Sequence, residues 1–336
     1  MYELEVKASE SYKITISSDL GGLSSAVTGD KVAIITDSNV NKLYGSALDG
    51  VLSGKTVYKY VIVAGEQSKN KNTYFDLLEF LSADGFGRTD TVIAFGGGVV
   101  GDLGGFVAST YMRGVTLVQV PTTILAAVDS SVGGKTAINL SHGKNLVGSF
   151  YQPKAVYINT EFFKTLPERE IMSGMGEIIK YAFLNKSVSA RMIEEGVSER
   201  LVYECLKIKR DIVQKDERES GERALLNLGH TVGHAIESLS EYSYSHGECV
   251  VKGLAFTLKI SKELYNTESG KYAEMLKLLN SCGHDLSCPF SAKELIKQIA
   301  YDKKGDGKAV KFVALKSIGE PEIVKLSYEE LEKYLG

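Results

Sequence analysis

Three of the five histidines in the chain fall within one short stretch of sequence. His230 and His234 are four residues apart, so on a helix they lie on one face, and a turn near residues 242–244 would bring His246 back to the same place. Neutral imidazoles gathered in this way typically bind a metal ion or transfer protons. The alternative is that His230 and His234 face the interior and are satisfied by hydrogen bonds to neighbours.

A glycine-rich run indicates a phosphate-binding turn. Gly96, Gly98 and Gly101 satisfy the pattern GxGxxG after an apolar segment, and bare backbone amides at a helix N-terminus can approach a pyrophosphate closely. However, the acid expected about 20 residues later, which would bind a ribose, is missing. The run also follows the third predicted strand, so Asp37, at the end of the first, is the candidate ribose ligand. We therefore predict a dinucleotide-binding fold outside the usual Rossmann family, the alternative being glycines that serve only helix-to-sheet packing.

Two lysines follow on glycine turns. Lys135 comes directly after Gly133 and Gly134, but this is not a P-loop because Asp129 occupies the place of the first glycine of that motif. Lys144 follows another glycine in the same way. These cations indicate either an anion-binding site or a solvated surface.

The elements that would position these residues alternate between strand and helix in the first half of the chain. Buried strands are predicted at 31–36, 57–63, 91–95 and 116–120, and helices near 73–81 and 101–109. Strands that are apolar on both faces and are separated by helices indicate a parallel sheet.

Helical patterns dominate after about Pro167. Predicted helices cover 201–213, 248–265 and 292–300, followed by a hairpin of 311–315 with 322–325 and a final helix capped by Ser327 and Glu330. The sequence therefore predicts an α/β N-terminal dinucleotide-binding domain with a parallel sheet, residues 1–166. A mainly α-helical C-terminal metal- and substrate-binding domain, residues 167–336, is predicted to follow it.

The composition is that of an ordinary globular protein, with 336 residues, 43% of them hydrophobic and 24% charged. A net charge of -3 gives no indication of the positive charge excess that nucleic-acid-binding domains usually carry. The chain has no apolar signal segment and no run of roughly 18 apolar residues, so no membrane partner is expected. The four cysteines show no CxxC spacing, which favours reduced thiols in the cytoplasm. A second metal site at Cys282, His284 and Cys288 is disfavoured because no matching ligand pair follows.

Several motifs occur in one order along most of the chain. They are GGGVVGDLGGF from Gly96, YMRGV from Tyr111, QVPTTILAAVDSSVGGKTAIN from Gln119, GKNLVGSFYQP from Gly143, GMGEIIKYA from Gly174, LNLGHTVGHAIE from Leu226, SHGECV from Ser245 and DKK from Asp302. Together these motifs resemble those of the 3-dehydroquinate synthase family, a branch of the sugar-phosphate cyclase superfamily.

The resemblance implies a metal site and a residue for proton transfer. Members of the family bind one divalent metal, usually zinc and alternatively cobalt, through a glutamate and two histidines, which correspond here to Glu177, His230 and His246. His234 is then free for proton transfer, so the resemblance replaces the ligand pair of His230 and His234 that spacing alone favours. Three protein ligands leave a coordination position for substrate oxygens, as catalytic zinc requires.

The resemblance also implies how the cofactor and the substrate are bound. In similar enzymes NAD contacts the residues that correspond to Asp37, Asn39, Glu66, Lys69, Gly97, Gly98, Asp102, Thr122, Thr123, Asp129, Lys144 and Thr165. The phosphate and carboxylate of the substrate meet Arg113, Lys135, Asn145, Lys180, Lys209, Arg223, Asn227 and one of Lys303 and Lys304. Arg113 reaches from a partner subunit, so a homodimer is implied.

The implied reaction converts a small sugar phosphate, 3-deoxy-D-arabino-heptulosonate 7-phosphate, to 3-dehydroquinate and phosphate, in the shikimate route to chorismate and the aromatic amino acids. NAD transiently oxidises the C5 alcohol, phosphate leaves by elimination, the hydride returns and an intramolecular aldol reaction closes the carbocycle. A substrate with both a phosphate and a carboxylate needs several fixed cations.

Three other functions compete with this one. A sister cyclase such as 2-deoxy-scyllo-inosose synthase would act on a hexose phosphate without a carboxylate, and Lys209 and Arg223, at the implied carboxylate site, argue against it. A polyol oxidoreductase of the glycerol dehydrogenase type has no need for so many phosphate-directed cations. A noncatalytic NAD-binding protein has no need for a complete set of Glu177, His230 and His246.

Overall fold

The computed structural model describes residues 1–241, 243–281, 283–302 and 309–335. The chain divides into two units, Met1–Leu166 and Pro167–Gly336. Within the described ranges, no helix combines the length and the apolar character needed to cross a membrane.

The first unit consists of strands and helices that mostly alternate. They are β1 (Tyr2–Lys7), β2 (Ser11–Ser17), β3 (Lys31–Asp37), α1 (Ser38–Tyr44), β4 (Thr56–Ile62), α2 (Lys71–Ala83), β5 (Thr91–Gly96), α3 (Gly98–Thr110), β6 (Thr116–Pro121), β7 (Lys135–Leu140), β8 (Gly143–Phe150) and β9 (Ala155–Asn159). The four strands and two helices predicted from the sequence are present, with small shifts at their ends. The prediction that the strand at 57–63 is buried is wrong, because β4 is an edge strand of the sheet and Val57 and Val61 are 39% and 41% exposed.

Seven of these strands form one sheet in the order β1-β2-β9-β6-β5-β3-β4. β1 runs antiparallel to β2, and the other neighbouring pairs are parallel. Along β3, Val32 and Ile34 belong to one core cluster, whereas Ala33 and Ile35 belong to another. Because both faces of the central strands are buried, they contain almost no polar residues, and the predicted parallel sheet is confirmed.

The first two strands and the β7–β8 hairpin were not predicted by the sequence patterns. In β1 and β2 apolar residues alternate with polar ones, and the glycine-rich run therefore follows the fifth strand rather than the third. The placement of Lys135 and Lys144 on loops is wrong, since both lie in the antiparallel pair β7–β8. Polar residues, glycines and broad exposure conceal β8 from a search for apolar runs.

The second unit is mainly helical, as predicted. Its elements are α4 (Glu168–Leu184), α5 (Ala190–Glu194), α6 (Glu199–Lys215), α7 (His230–Leu239), α8 (His246–Tyr265), α9 (Ser269–Asn280), α10 (Ala292–Asp302), β10 (Ala309–Leu315), β11 (Pro321–Ser327) and α11 (Tyr328–Leu335). The predicted hairpin and the capping of the last helix by Ser327 and Glu330 are confirmed. Of the predicted turn before α8, Tyr242 lies outside the described residues.

Candidate functional site

The three clustered histidines come from the first residues of two helices. His230 and His234 lie one turn apart in α7, and His246 is the first residue of α8. Ser245 and Glu248 form a capping box at the start of α8, which fixes the backbone there. One nitrogen from each of the three imidazoles lies within 4.8 Å of the others. The predicted clustering is therefore observed.

Glycines allow the helices of this site to approach each other at backbone distance. A Cβ added to Gly176 of α4 would overlap the backbone of Gly247 in α8, and one added to Gly247 would overlap the carbonyl of Ser173. α7 and α8 are similarly close, since a Cβ on Gly233 would lie 2.9 Å from the Cys249 carbonyl oxygen. Gly176 and Gly247 each directly neighbour a predicted metal ligand, so this packing brings Glu177 and His246 together.

Glu177 is fully buried beside two of the histidines. Its Oε1 lies 3.3 Å from Nε2 of His230 and 3.3 Å from Nε2 of His246, and its Oε2 is in contact with Nζ of Lys180. Burial acts to raise the pKa of this carboxyl, but the Lys180 ammonium and the His230 imidazole hold the pKa well below its usual range. Glu177 is therefore an ionised carboxylate inside the protein.

The donor atoms of Glu177, His230 and His246 suit a divalent cation. Within the described part of the chain, neither oxygen of Glu177 makes a hydrogen bond of normal geometry, despite complete burial. Two imidazole nitrogens that each lie 3.3 Å from one carboxylate oxygen form the donor set that zinc and similar metals prefer. Because a buried charge without hydrogen bonds is unfavourable, a bound cation would stabilise this arrangement. The predicted set of Glu177, His230 and His246 is thus brought together.

His246 is held at both ring nitrogens. On the side of the ring away from Glu177, its Nδ1 lies 3.2 Å from Oε2 of Glu237, a residue that was not among the predicted site residues. Burial acts to lower the pKa of His246, but the two carboxylates outweigh it and raise the pKa to about 10. The sequence signal for Glu237 is its spacing, because it follows His230 by two helical turns on the same face of α7.

Several predicted substrate-binding cations are buried in the second unit. Lys180, Lys209 and Arg223 have relative exposures of 1%, 4% and 2%. Lysine and arginine are rarely buried so completely without an anionic partner. The guanidinium of Arg223 donates to the carbonyl of Glu217, and Asn227 donates to Oε1 of Glu219 at 2.6 Å. Arg223 and Asn227 are therefore held by protein contacts before any substrate arrives.

Predicted NAD contacts line the carboxyl edge of the first unit's sheet. Thr122 and Thr123 follow β6, and Gly97 and Gly98 follow β5. Asp37 is the last residue of β3 and Asn39 follows it, while Glu66 and Lys69 follow β4. These four strands are adjacent in the sheet, and ligands of open parallel sheets bind at this edge. Asp37 Oδ1 also caps α1 by accepting from the backbone of Asn39 and Val40.

The geometry of the glycine-rich run is compatible with both helix packing and anion binding. Gly104 packs against the sheet, since a Cβ there would lie 3.1 Å from that of Ala94. Gly97 instead caps the N-terminus of α3 and faces Thr123, where a Cβ would lie 3.1 Å from Cγ2. Packing therefore explains the later glycines of the run, and the first ones leave backbone amides at a helix N-terminus, as anion binding requires.

A hydrogen-bond network joins the loop after β4 to helix α3 and to the β7–β8 hairpin. Nζ of Lys69 donates to Asp102 Oδ2 at 2.5 Å and to Asn145 Oδ1 at 2.6 Å. Asn139, which was not among the predicted site residues, donates to Glu66 Oε1 at 2.6 Å and accepts from the backbone N–H of Asn145 at 2.9 Å. No sequence pattern singles out Asn139, because its role depends on the unpredicted hairpin.

The remaining predicted residues are more scattered. Thr165 bonds the hydroxyl of Tyr44 at 2.7 Å, Asp129 lies in a π-helical turn, and Lys144 lies in β8. Lys303 and Lys304 lie outside the described residues. At the disfavoured second metal site, His284 Nε2 lies 2.9 Å from the carbonyl of Met172, and Cys282 is also outside the described residues.

Comparisons with known proteins identify related sequences along most of the chain. The sequence matches the family described as 3-dehydroquinate synthase N-terminal over residues 59–173, and that described as 3-dehydroquinate synthase C-terminal over residues 174–305. The 3-dehydroquinate synthase of Clostridium acetobutylicum is 42% identical, over 95% of this chain and 94% of that protein.

Two solved structures show the same fold. A 2-deoxy-scyllo-inosose synthase complexed with carbaglucose-6-phosphate, NAD+ and Co2+ has a TM-score of 0.89 and 24% identity, covering 99% of each chain. A 2-epi-5-epi-valiolone synthase from Streptomyces hygroscopicus with NAD+ and Zn2+ bound has a TM-score of 0.87 and 23% identity, covering 99% of this chain and 98% of that one.

Proposed function

The chain belongs to the 3-dehydroquinate synthase family, and on this premise we propose that it converts 3-deoxy-D-arabino-heptulosonate 7-phosphate to 3-dehydroquinate and phosphate. The observation that carries the proposal is the buried Glu177 carboxylate, which faces His230 and His246 in a unit that also buries several cations. The activity is that of a carbon–oxygen lyase of the shikimate pathway. The buried thiol of Cys205 suits a reducing cytoplasm.

The cofactors of this reaction are NAD and one divalent metal, zinc or cobalt. When bound, the metal polarises a substrate oxygen and NAD accepts and returns a hydride. In our proposal Glu177, His230 and His246 hold the metal. The carboxyl edge of the first unit's sheet holds NAD, with Asp37 and Glu66 toward ribose hydroxyls and the amides of α3 toward the pyrophosphate.

The chain's own residues bind and orient a doubly anionic substrate. Lys180, Lys209 and Arg223 provide charge-assisted hydrogen bonds to phosphate and carboxylate oxygens from fixed positions, so little side-chain entropy is lost on binding. His234 is the exposed member of the histidine cluster, and its ring lies 5.3 Å from that of His230. It is therefore able to exchange a proton with substrate or solvent.

We expect phosphate release to exceed the NAD supplied by many turnovers. In the proposed cycle the hydride returns to the substrate carbon, so NADH is an intermediate and does not accumulate. The measurement follows inorganic phosphate and NADH absorbance together, with the heptulosonate phosphate, NAD and zinc. NADH that grows in step with product would instead indicate a polyol dehydrogenase.

Two substrate controls sharpen this experiment. An analogue without the C5 hydroxyl should release no phosphate, because there is no alcohol to oxidise and no ketone to acidify the C6 hydrogen. Glucose 6-phosphate tests the sister cyclase activity. Turnover of glucose 6-phosphate at a rate that exceeds turnover of the heptulosonate phosphate would assign the chain to that activity.

We further propose that the protein is a homodimer in which Arg113 completes the partner's site. Met112 and Arg113 both have positive φ angles, 51° and 65°, which are unfavourable for these residue types and often mark functional sites. Tyr151, which directly follows β8, donates to the carbonyl of Val115 at 2.6 Å. The end of β8 therefore lies beside the turn that contains Arg113. Met112 and Phe150 are 45% and 44% exposed, as expected of a surface that is covered in a dimer.

Mixing two inactive variants should restore activity if Arg113 acts across the dimer. Arg113→Ala and Lys135→Ala each remove one proposed substrate contact. In a hybrid dimer, one site then contains both intact residues. After the subunits are exchanged by mild denaturation and refolding, up to about a quarter of wild-type activity is expected if each hybrid has one complete site and half of the dimers are hybrids. Mixtures no more active than the parents would place Arg113 in its own subunit's site.

A further inference from the structure

Glu237 is the second carboxylate that faces His246. We propose that Glu237 is a positioning residue for the metal, which fixes the imidazole of His246 by accepting a hydrogen bond from its Nδ1–H. This inference rests on the proposed ligand set of Glu177, His230 and His246. It adds to that set a residue that acts through a ligand rather than by touching the ion.

The geometry leaves Nε2 of His246 as the atom for the metal. Nε2 lies 3.3 Å from Glu177 Oε1, and Nδ1 lies 3.2 Å from Glu237 Oε2. A carboxylate faces each ring nitrogen, but only Nε2 lies beside both Glu177 and His230, so Nε2 is the nitrogen that must give up its proton to bind a cation there. The remaining proton of the imidazole is then on Nδ1, where the Glu237 carboxylate accepts a hydrogen bond from it. The lone pair of Nε2 is then directed at the point where the Glu177 carboxylate and the second histidine converge.

His230 provides an internal comparison. Its Nδ1 lies 3.0 Å from the backbone carbonyl of Leu228, and its Nε2 also lies 3.3 Å from Glu177 Oε1. Both histidines therefore have an outer acceptor at Nδ1, as metal-binding histidines generally do. The acceptor of His230 is a neutral part of the main chain, whereas that of His246 is an anionic side chain. Glu237 thus places a negative charge beside His246 that the outer acceptor of His230 lacks.

The surroundings of Glu237 favour a fixed contact over a mobile one. Its side chain is only 14% exposed, and it lies in α7, the helix that also carries His230 and His234. His246 begins the neighbouring helix α8, whose start is fixed by the Ser245–Glu248 capping box. The hydrogen bond from His246 to Glu237 therefore joins two rigid elements, and removing it frees the imidazole to rotate.

The test measures zinc affinity rather than activity. The metal is removed from the full-length protein, and the zinc dissociation constant is measured at one pH by competition with a chromophoric chelator. We expect Glu237→Ala to weaken zinc binding about 10- to 100-fold, the usual effect of losing such an outer partner. Glu237→Gln retains an acceptor oxygen without the charge, so its loss should be less than about tenfold.

Two further variants bracket the result. Glu241→Gln removes an exposed carboxylate just beyond the end of α7 and should leave the dissociation constant unchanged. His246→Ala should abolish stoichiometric zinc binding, and retained zinc would overturn both the ligand set and the inference. If His246→Ala loses zinc while both Glu237 variants bind within about twofold of wild type, only the role of Glu237 fails. If Glu237→Gln loses zinc as completely as His246→Ala, Glu237 is a ligand itself and the positioning role is likewise overturned.

Discussion

Replacing Glu177 with glutamine should abolish phosphate release and destabilise the metal-free protein by about 3–5 kcal/mol. Glu177 and Lys180 are almost completely buried, at 0% and 1% side-chain exposure, and are in contact within α4. Removing the carboxylate leaves the ammonium buried without its anionic partner. Catalysis is lost separately, because the amide cannot serve as the anionic ligand of the proposed metal site. Urea denaturation, followed by circular dichroism, measures the free energy of unfolding.

A double variant separates these two effects. Lys180→Met alone leaves the Glu177 carboxylate buried without the ammonium, so it should also lose about 3 kcal/mol or more. With both changes no unpaired charge remains from this pair, and most of the stability should return while phosphate release stays undetectable. If the double variant loses the sum of the two single losses, the contact between Glu177 and Lys180 does not determine the stability of α4.

The position of Glu177 beside the histidines depends on packing between helices that are far apart in sequence. This dependence explains which parts of the site could be predicted from sequence. His230 and His234 are neighbours through the helical repeat alone, so their shared face follows from spacing. Glu177 reaches them only because α4 crosses α8 at Gly176 and Gly247, and no local pattern encodes that crossing. The resemblance to a family, carried by motifs around each ligand, supplied what the spacing could not.

The same distinction applies to the fold of the first unit. The central strands β3 and β5 are buried on both faces, so their unbroken apolar runs predict them directly. The β7–β8 hairpin is stabilised by contacts with other elements, among them the bond from Asn139 to Glu66 and that from Lys69 to Asn145. These contacts exist only after the chain has folded, so the hairpin and the role of Asn139 were both missed.

The crossing of α4 and α8 leaves no room for a side chain at Gly247. Changing Gly247 to alanine should lower the free energy of unfolding by about 3 kcal/mol and phosphate release by about 100-fold. The added Cβ would overlap the carbonyl oxygen of Ser173, a backbone atom that cannot rotate away. The two helices must therefore separate, which moves His246 away from Glu177. Displacements of about 1 Å in a catalytic site are sufficient for a loss of this size.

Gly270 is the matched control for this experiment, because it lies in α9 and a Cβ there would meet nothing within 4 Å. Gly270→Ala should be neutral or stabilise the protein by up to about 1 kcal/mol, since alanine restricts the unfolded chain. Zinc affinity, phosphate release and urea denaturation of the two variants are then compared. A Gly247→Ala protein that matches Gly270→Ala in all three would show that α4 and α8 can separate without disturbing the site. A Gly247→Ala protein that is destabilised but keeps its zinc affinity would show that the crossing supports the fold and not the metal ligands.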